Sequence, residues 1–415
     1  MRSSPISKPI FVYLQRPDDG AWVTVGRYRQ NEVGEGLFLY APSYADAGLV
    51  WSIDPVNLPF MPGQEFHAAR YSGLHDALRD VCPDAWGQAL LRREHNLRED
   101  TPPLDYLLKA SNADRWGALA IGPSPRPPQA LLNTPALPLL SHVVEELAAL
   151  AEQKPPVRPK VRARLVQTAS LGGARPKATV QGENGQFWMV KPAIPSDVAN
   201  IPLLEHFGQR WGALSGLRFA ETAYHSAVSG RSAVQVMRFD RMGMKRHMCI
   251  SAASLLQTEH PGRLETDLWS YPRLAGELRR IGAPIEDWHE LFGRMVFNAI
   301  CGNDDDHARN HAAVYSAEDG CWRLSPAFDV VPNSLETPVQ LQMQLSTGRF
   351  DISREALLGD SHRFGFSTHE EVNDYLNALL QRITASFSTA ADCLDDATRQ
   401  MMQERLEHNI KLLTN

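Results

Sequence analysis

The sequence predicts a protein of the α+β class that is built from more than one structural unit. Residues 8 to 40 alternate apolar and polar positions in short runs, whereas the chain after residue 250 is dominated by helical spacing. Between these regions lies a pattern of strand, glycine-bearing loop, strand, hairpin and strand at 161 to 191. With 415 residues, the chain is too long for one ordinary core.

The N-terminal region predicts a small α+β subdomain over residues 1–120. Its runs FVYLQ, AWVTVGRY and LFLYA alternate as antiparallel strands do, and the turn formers PDDG and GEG separate them. Apolar residues at helical spacing follow in 72–116. Six prolines between 123 and 138 then mark a connector, so we expect a proline-rich connector and a helix over 121–160.

The middle of the chain predicts a β-rich lobe over 161–240. VRARLVQTAS at 161–170 is typical of a strand, and Asn184–Gly185 between KATVQGE and QFWMVK is a strong signal for a tight hairpin. A helix is expected from residue 202 and a buried strand over 233–239. The remainder, 241–415, predicts a mostly helical lobe with an acidic loop and a second hairpin embedded in it.

Composition excludes several classes of protein. Hydrophobic residues at 43% and charged residues at 22% are ordinary for a soluble globular chain. A net charge of −6 gives no global attraction to nucleic acid or anionic membrane, although the basic run at 154–164 is either a solvated face or a patch that contacts phosphate. Five dispersed cysteines without a CxxC pair favour a reduced, cytoplasmic chain. No signal peptide or membrane span is expected.

Two lysines point to phosphate binding. SLGGARPK at 170–177 places glycines, whose backbone can approach a ligand closely, before Lys177; Walker A spacing is absent, and a plain hairpin turn is the alternative. Lys191 ends an apolar strand, where it needs water or an anion. It is either a solvent-facing edge residue or an ammonium on nucleotide phosphates, with Glu205 as the carboxylate that positions it.

The acidic loop NDDDHARN at 303–310 follows an apolar helix. Asp305 and Asn310 lie five residues apart, as do the base and the metal-binding amide of a kinase catalytic loop. Asp329 in PAFDVVP corresponds to a second magnesium ligand, although Phe328 precedes it. A zinc site at His307 and His311 is disfavoured because the glutamate of HExxH is missing. A two-metal nuclease and a purely structural acidic loop stay open.

The order of these parts predicts a protein-kinase-like bilobal fold, with a β-rich N-lobe and a mostly helical C-lobe after the N-terminal subdomain. At this point the sequence resembles the HipA family, the serine/threonine kinase toxins of bacterial type II toxin–antitoxin systems. The motifs that carry the resemblance are SLGGARPKA at 170–178, VKP at 190–192, MRFDR at 237–241, GNDDDHARNH at 302–311 and PAFDVVP at 326–332, together with LPFMPG at 58–63, PDAWGQALLRR at 83–93 and DRWGALAIG at 114–122.

The resemblance implies transfer of the γ-phosphoryl group of ATP, with Mg²⁺, to a protein hydroxyl. It implies Asp305 as catalytic base, Lys191 on the ATP phosphates, Asn310 and Asp329 on magnesium, and His307 beside the nucleotide. The residues that would cover the phosphates or line the adenine hinge are Gly172, Gly173, Ala174, Arg175, Pro176, Lys177, Met237, Arg238 and Phe239.

The resemblance also implies regulation and partners. Ser170 matches the serine that family members autophosphorylate, where phosphate would repel the ATP phosphates and switch the kinase off; a plain turn serine is the alternative. A cognate helix-turn-helix antitoxin of the HipB type is the implied partner, and operator DNA is contacted only through it. An aminoacyl-tRNA synthetase is a substrate that the family suggests.

Two features depart from the family pattern, and two other functions remain. Asp304 stands where a neutral residue is common, and Arg175–Pro176 stiffens the glycine loop. A magnesium nuclease would use the same acidic loop without ATP. A pseudokinase scaffold is disfavoured because Lys191, Asp305, Asn310 and Asp329 are all present.

Overall fold

A computed structural model describes residues 8–127, 139–167, 173–182, 185–258 and 268–414. The chain divides into two compact units. The first comprises Met1–Lys191, Asp240–Ile250 and Tyr315–Asp319, and the second comprises Pro192–Phe239, Ser251–Val314 and Gly320–Asn415. The domain boundaries proposed from the sequence stay predictions.

The described residues form both strands and helices. The strands are β1 Ile10–Gln15, β2 Trp22–Gln30, β3 Gly36–Tyr40, β4 Glu65–Ala68, β5 Leu119–Gly122, β6 Ala178–Gln181, β7 Phe187–Pro192, β8 Thr222–Val228, β9 Arg231–Met237, β10 Arg241–Met242, β11 Lys245–Arg246, β12 Cys249–Ser251, β13 Ala312–Ser316 and β14 Cys321–Leu324. The helices are α1 Pro42–Asp46, the irregular turn α2 Arg70–Gly73, α3 Asp76–Asp80, α4 Ala85–His95, α5 Pro103–Lys109, α6 Leu140–Ala151, α7 Pro159–Gln167, α8 Ile201–Leu214, α9 Ala252–Leu255, α10 Tyr271–Arg280, α11 Ile285–Cys301, α12 Arg354–Leu358, α13 His369–Ala390 and α14 Asp396–Thr414.

The first unit contains an antiparallel sheet with strand order β4-β3-β2-β1-β5. Val12, Tyr13 and Leu14 are consecutive in β1 and all fully buried. Because neighbouring side chains of a strand point to opposite faces, β1 is covered on both sides. The predicted small N-terminal sheet is therefore confirmed, with β4 and β5 added to it.

A buried arginine organises the loop before β5. Arg115 is fully buried and donates to the carbonyl oxygens of Val81 at 2.9 Å, Leu107 at 2.6 Å and Ala110 at 2.8 Å. Without Arg115, each of these buried carbonyls would have lost its hydrogen bonds to water on folding and gained no bond from this side chain in return. The DRWG motif therefore holds the ends of local helices and turns together.

The RFDR motif joins the same loop within the first unit. Arg241 and Arg246 each donate to the carbonyl oxygen of Ala113 at 2.9 Å, and the Asp240 carboxylate accepts from the Gly117 N–H at 2.8 Å. These two sequence motifs, more than 100 residues apart in the chain, thus form one hydrogen-bonded cluster.

The strand predicted over 161–170 is wrong for residues 161–167, which belong to helix α7. VRARLVQ alternates as a strand does, but Glu146 of α6 accepts from the backbone N–H of Arg158, directly before α7, and from the side chain of Arg162 within it. An acidic side chain that accepts from an N–H group at the start of a helix stabilises that helix, so the carboxylate on α6 favours the helix over the strand. Lys154 and Arg158 also pair with Glu152 and Glu145, so at least three of the five cations in this run have carboxylate partners.

One predicted hairpin and one predicted strand are confirmed. In the first unit, β6 pairs antiparallel with β7, and the Gly182 N–H donates to the Gln186 carbonyl at 2.8 Å; Asn184 lies outside the described residues. In the second unit, β8 pairs antiparallel with β9, the strand predicted at 233–239. The helix expected from residue 202 is α8.

Packed aromatic rings fill the core of the second unit. Trp211 of α8 lies 5.3 Å from the ring of Phe297 in α11 and 5.2 Å from that of Phe387 in α13. Its indole N–H donates to the Ile383 carbonyl at 2.9 Å. A large ring with a satisfied polar atom is a stable anchor for three helices.

Among the described helices, none is both long and apolar enough to cross a membrane.

Helix α14 contributes a buried arginine that fastens two separate segments. Arg405, 2% exposed, donates to the carbonyl oxygens of Cys301 at 2.9 Å, Asn333 at 2.6 Å and Glu336 at 2.7 Å. The first carbonyl ends α11, and the other two belong to the irregular segment after β14. One guanidinium therefore fixes the end of α11 against residues 333–336.

Replacing Arg405 should destabilise the second unit strongly. Arg405→Leu leaves one buried and two partly buried carbonyls without this donor, and we expect the free energy of unfolding to fall by about 3 kcal/mol or more. Urea unfolding followed by tryptophan fluorescence measures this. The matched control Arg363→Leu removes an exposed arginine and should change stability by less than about 0.5 kcal/mol. Equal effects of the two substitutions would contradict the role given to Arg405.

Candidate active site

The acidic loop begins where α11 ends in a left-handed glycine. Gly302 has φ +74° and its N–H donates to the Asn298 carbonyl at 3.0 Å. A Cβ atom here would lie 2.9 Å from the Arg405 side chain and 3.0 Å from Pro338. Conformation and space both require glycine at this position, which sets the direction in which the three aspartates leave the helix.

The three consecutive aspartates occupy three different environments. Asp304 is half-buried and accepts from the Asn333 side-chain amide at 2.9 Å. Asp306 is buried, whereas Asp305 is exposed and accepts from the Gln342 side-chain amide at 3.1 Å. Each carboxylate therefore has its own polar partner, and Asp305 is the one that presents itself to solvent.

Asp306 lies in a buried polar network. It accepts from the hydroxyl of Tyr271 and bonds to His311 Nε2 at 2.8 Å. Burial, together with the adjacent Asp306 carboxylate, raises the pKa of Tyr271 well above its usual value. The hydroxyl therefore stays protonated and acts as the donor of the hydrogen bond to Asp306. Asn298 in turn donates to the Tyr271 oxygen at 2.9 Å. Residues of α10 and α11 and the residue before β13 therefore hold the buried side of the acidic loop in place.

Charge and loss of hydration act together on Asp305. Although the residue is exposed, its carboxylate lies among other protein groups, and this loss of hydration raises its pKa above the ordinary value of aspartate. His307 lowers the pKa, and the carboxylates of Asp329 and Asp304 raise it further. A raised pKa makes Asp305 a stronger proton acceptor than an ordinary surface aspartate.

Asn310 is held against the backbone of Asp305. It lies in a short 3-10 turn, Ala308–Asn310, where its N–H donates to the His307 carbonyl at 2.8 Å. Its side-chain nitrogen donates to the Asp305 carbonyl at 3.1 Å. The side-chain oxygen of this buried residue is consequently the atom that suits a cation.

Asp329 has a strained backbone within a tightly packed segment. Its φ of +59° is uncommon for a residue with a side chain. The segment is held because Ala327 exchanges backbone hydrogen bonds with Arg218 and Ala220 at 2.8 and 2.9 Å. On the other side of Asp329, the Val330 carbonyl lies so close to α8 that a Cβ on Gly208 would meet it at 2.8 Å.

The predicted hinge contacts this segment. The ring of Phe239 lies 5.4 Å from that of Phe328, and Arg238 is buried. The Met237 N–H donates to the Glu221 carbonyl at 2.8 Å, so that backbone donor already has a partner. Glu205, on the α8 helix, is 2% exposed. The second unit thus brings the hinge, the Asp329 segment and the acidic loop together.

The first unit carries the glycine loop and the strand lysine. Lys191 is buried at the end of β7, and Lys177 is buried directly before β6. Gly173 has φ +96° and its N–H donates to the Asp84 carboxylate at 3.0 Å. Ala174, Arg175 and Pro176 complete the described part of the loop, whereas Ser170 and Gly172 lie outside the described residues.

Asp84 has an unusual role for the residue that precedes a helix. It occupies the N-cap position of α4 but caps no helical N–H. One oxygen instead accepts from Arg79 at 2.8 Å, while the other holds Gly173. The Trp86 N–H also donates to the Gly173 carbonyl at 3.2 Å. The start of α4 therefore fixes Gly173, the first described residue of the glycine loop.

The donor set fits magnesium brought with a nucleotide. Within the described residues, no group of three or more His, Cys, Asp or Glu side chains is arranged to hold a metal. The carboxylate of Asp329 and the amide oxygen of Asn310 are hard donors of the type that Mg²⁺ prefers, and Mg²⁺ takes its other ligands from phosphate and water. The roles given to these residues stay predictions.

Sequence reasoning missed the residues that support the site. Tyr271, Asn298, Asn333, Gln342 and Asp84 each bond to a candidate residue or to its neighbour. Only Asn298 gave a signal, because a polar residue inside an apolar helix needs a buried partner. The others lie in segments whose sequence does not indicate what they contact.

Comparison with known proteins identifies a family and similar solved structures. The family model described as the HipA-like C-terminal domain matches residues 169–392. HipA of Shewanella oneidensis MR-1, solved in a complex with HipB and operator DNA, is 16% identical, with a TM-score of 0.71 over 98% of this chain and 96% of that chain. The Helicobacter pylori proinflammatory kinase CtkA is 13% identical, with a TM-score of 0.43 over 57% of this chain and 90% of that chain. A search of curated proteins found no match.

The likeness to the Shewanella structure confirms the mixed helix-and-sheet fold predicted from the sequence and shows that it is the fold of HipA. The matched family region covers more than half of the 415 residues and includes both the glycine loop and the acidic loop. The chain belongs to the family of the HipA-like C-terminal domain.

Proposed function

We propose that the protein is an ATP- and Mg²⁺-dependent serine/threonine protein kinase that acts as the toxin of a type II toxin–antitoxin system. The observation that carries the proposal is the environment of Asp305. Among three consecutive aspartates it alone is exposed, its pKa is raised, and its backbone is held by Asn310. A general base for a protein hydroxyl needs this combination of access, basicity and fixed position.

In the proposed reaction, Asp305 accepts the proton of the acceptor hydroxyl. The acceptor hydroxyl oxygen forms a bond to the γ-phosphorus of ATP, the bond from that phosphorus to the bridging oxygen breaks, and ADP leaves with the electron pair. The hydroxyl proton passes to the Asp305 carboxylate. The Gln342 side chain orients this carboxylate by donating a hydrogen bond of 3.1 Å to its Oδ1 atom.

Other residues of the chain bind and orient the nucleotide in this proposal. Lys191 and Lys177 neutralise phosphate charge, and the backbone of 173–177 approaches the phosphates. Asn310 and Asp329 would hold Mg²⁺, which when bound offsets the negative charge of the phosphates. Phosphorylation of Ser170 would repel the ATP phosphates and make the kinase inactivate itself.

The proposed partners follow from the family and from charge. The Shewanella HipA was solved with HipB and operator DNA, which supports a HipB-like helix-turn-helix antitoxin for this chain. A net charge of −6 gives no general attraction to DNA, and at least three of the five cations at 154–164 are paired, so operator contact would run through the antitoxin. An aminoacyl-tRNA synthetase in the cytoplasm is the proposed substrate.

Asp305→Asn should abolish phosphoryl transfer. The amide cannot accept the proton, and we expect the rate to fall by about 10²–10⁴-fold with ATP binding retained. Purified protein is incubated with γ-labelled ATP and Mg²⁺, and labelled sites are mapped by mass spectrometry beside Ser170→Ala. The control Asp374→Asn removes another exposed carboxylate, on α13, and should leave the rate unchanged.

Each outcome of this experiment separates the proposed functions. Label on the wild type that is lost in both Asp305→Asn and Ser170→Ala supports the kinase and its self-inactivation site. Label lost only in Asp305→Asn moves the regulatory site elsewhere. Cleavage of DNA or RNA without ATP, abolished by Asp305→Asn, would replace the kinase with the nuclease, and ATP binding without transfer to any protein would favour the scaffold.

Asp304→Asn should move the pH dependence of the reaction. The base works only when deprotonated, so activity falls as the pH drops through the Asp305 pKa. Removing the Asp304 charge lowers that pKa, because a like charge no longer opposes ionisation. We expect the acidic limb of the kcat/KM profile to shift to lower pH, while the same profile for Asp374→Asn stays in place. An unchanged limb would mean that Asp305 is not the group that titrates.

A further inference from the structure

Two large aliphatic side chains stand in solvent near the acidic loop. Leu335 is 74% exposed and Val339 is 77% exposed. Both belong to residues 333–342, here called the arch, which leads away from the acidic loop and returns to it. Each side chain would leave water, and so gain free energy, if a binding partner covered it.

The arch is fixed at both ends to the acidic loop. The Asn333 side chain donates to Asp304 at 2.9 Å, and the Gln342 side chain donates to Asp305 at 3.1 Å. Its exposed side chains therefore belong to a segment that is anchored at one end to Asp304 and at the other to the candidate base, Asp305.

The backbone between these ends is also held. Arg405 binds the carbonyls of Asn333 and Glu336, and the Val339 carbonyl accepts from the Ile352 N–H at 2.9 Å. Pro338, between the two aliphatic residues, is buried. Leu335 and Val339 thus project from a rigid support, which lowers the entropy that a binding partner must overcome.

Chain geometry places these side chains within reach of a bound peptide. Val339 is three residues from Gln342, and Leu335 is two residues from Asn333, so each Cα lies within about 10 Å of a residue that touches the acidic loop. An extended peptide advances about 3.3 Å per residue. If its hydroxyl is at Asp305, residues up to about three positions away can reach the arch.

We propose that Leu335 and Val339 form a docking surface for the polypeptide substrate and select apolar side chains within about three positions of the acceptor serine or threonine. This inference rests on the proposed kinase function, because it requires the acceptor hydroxyl to lie at Asp305. The same surface disfavours acidic flanking residues, since Asp304, Asp305 and Glu336 all lie along it.

The test uses the full chain and a degenerate peptide library. The library has a fixed central serine or threonine and varied flanking positions, and label is transferred from γ-labelled ATP with Mg²⁺. Wild type should enrich Leu, Ile, Val and Met within three positions of the acceptor. The double variant Leu335→Ser, Val339→Thr should lose that enrichment, because neither replacement offers comparable apolar area.

Kinetics with two single peptides sharpen the comparison. For an apolar-flanked peptide, kcat/KM should fall about tenfold in the double variant, whereas for an alanine-flanked peptide it should change less than about twofold. Val33→Thr, which alters an aliphatic residue that is 85% exposed in the first unit, is the matched control and should behave as wild type. Autophosphorylation of each variant reports that the phosphoryl-transfer machinery is intact.

The outcomes distinguish failure of this inference from failure of the proposed function. A wild type that phosphorylates itself but labels no peptide, or labels peptides without apolar selection, overturns the docking surface and leaves the kinase standing. A wild type that transfers no phosphoryl group at all overturns both. Loss of self-association in the double variant, seen by light scattering with unchanged peptide kinetics, would assign the surface to a second copy of the chain and overturn the inference.

Discussion

The arrangement of the second unit depends on one buried guanidinium. Arg405 binds a carbonyl at the end of α11 and two carbonyls of the arch, and so joins the two segments whose side chains meet at Asp304 and Asp305. A lysine has a single point charge on a flexible stem and cannot span three acceptors in fixed directions, whereas the planar fork of arginine can. The geometry of the acidic loop is therefore set from outside the loop.

The three aspartates show how a run of like charges is accommodated. Three adjacent carboxylates repel one another, and a solvated loop is the usual result. Here Asp304 is tied to Asn333, Asp306 is buried against Tyr271 and His311, and the two flanking residues fix the direction of Asp305 between them. Two of the carboxylates thus have positional roles, and their partners come from segments on either side of the loop in sequence.

Local signals predicted much of the fold. The Asn184–Gly185 pair predicted the β6–β7 hairpin, and apolar periodicity predicted α8 and β9, because turn chemistry and side-chain spacing are written in a few neighbouring residues. Residues 161–167 were predicted wrongly since the deciding partner, Glu146, lies on another helix. For the same reason, the sequence identified the acidic loop as a candidate site but not the separate environments of its three aspartates.

The motifs themselves divide into two kinds. NDDDHARN and PAFDVVP place polar groups at the candidate site, whereas DRWG and the Asp240–Arg241 end of RFDR bind each other inside the first unit. Sequence spacing does not separate these kinds, because both combine charged residues with glycine or aromatic residues. Only the contacts reveal that a buried arginine such as Arg115 donates to backbone carbonyls.

The order of residues along the chain determines when, during translation, the Arg405 contact can form. Arg405 follows Cys301 by 104 positions, and a ribosome therefore makes the acidic loop well before the arginine that fastens it. At synthesis rates of about 5–20 residues per second, the interval is roughly 5–20 s. Throughout it the growing chain contains every carboxylate of the loop but lacks the support that fixes them. The contacts that Arg405 makes with the end of α11 and with the arch therefore form only after the acidic loop itself has been translated.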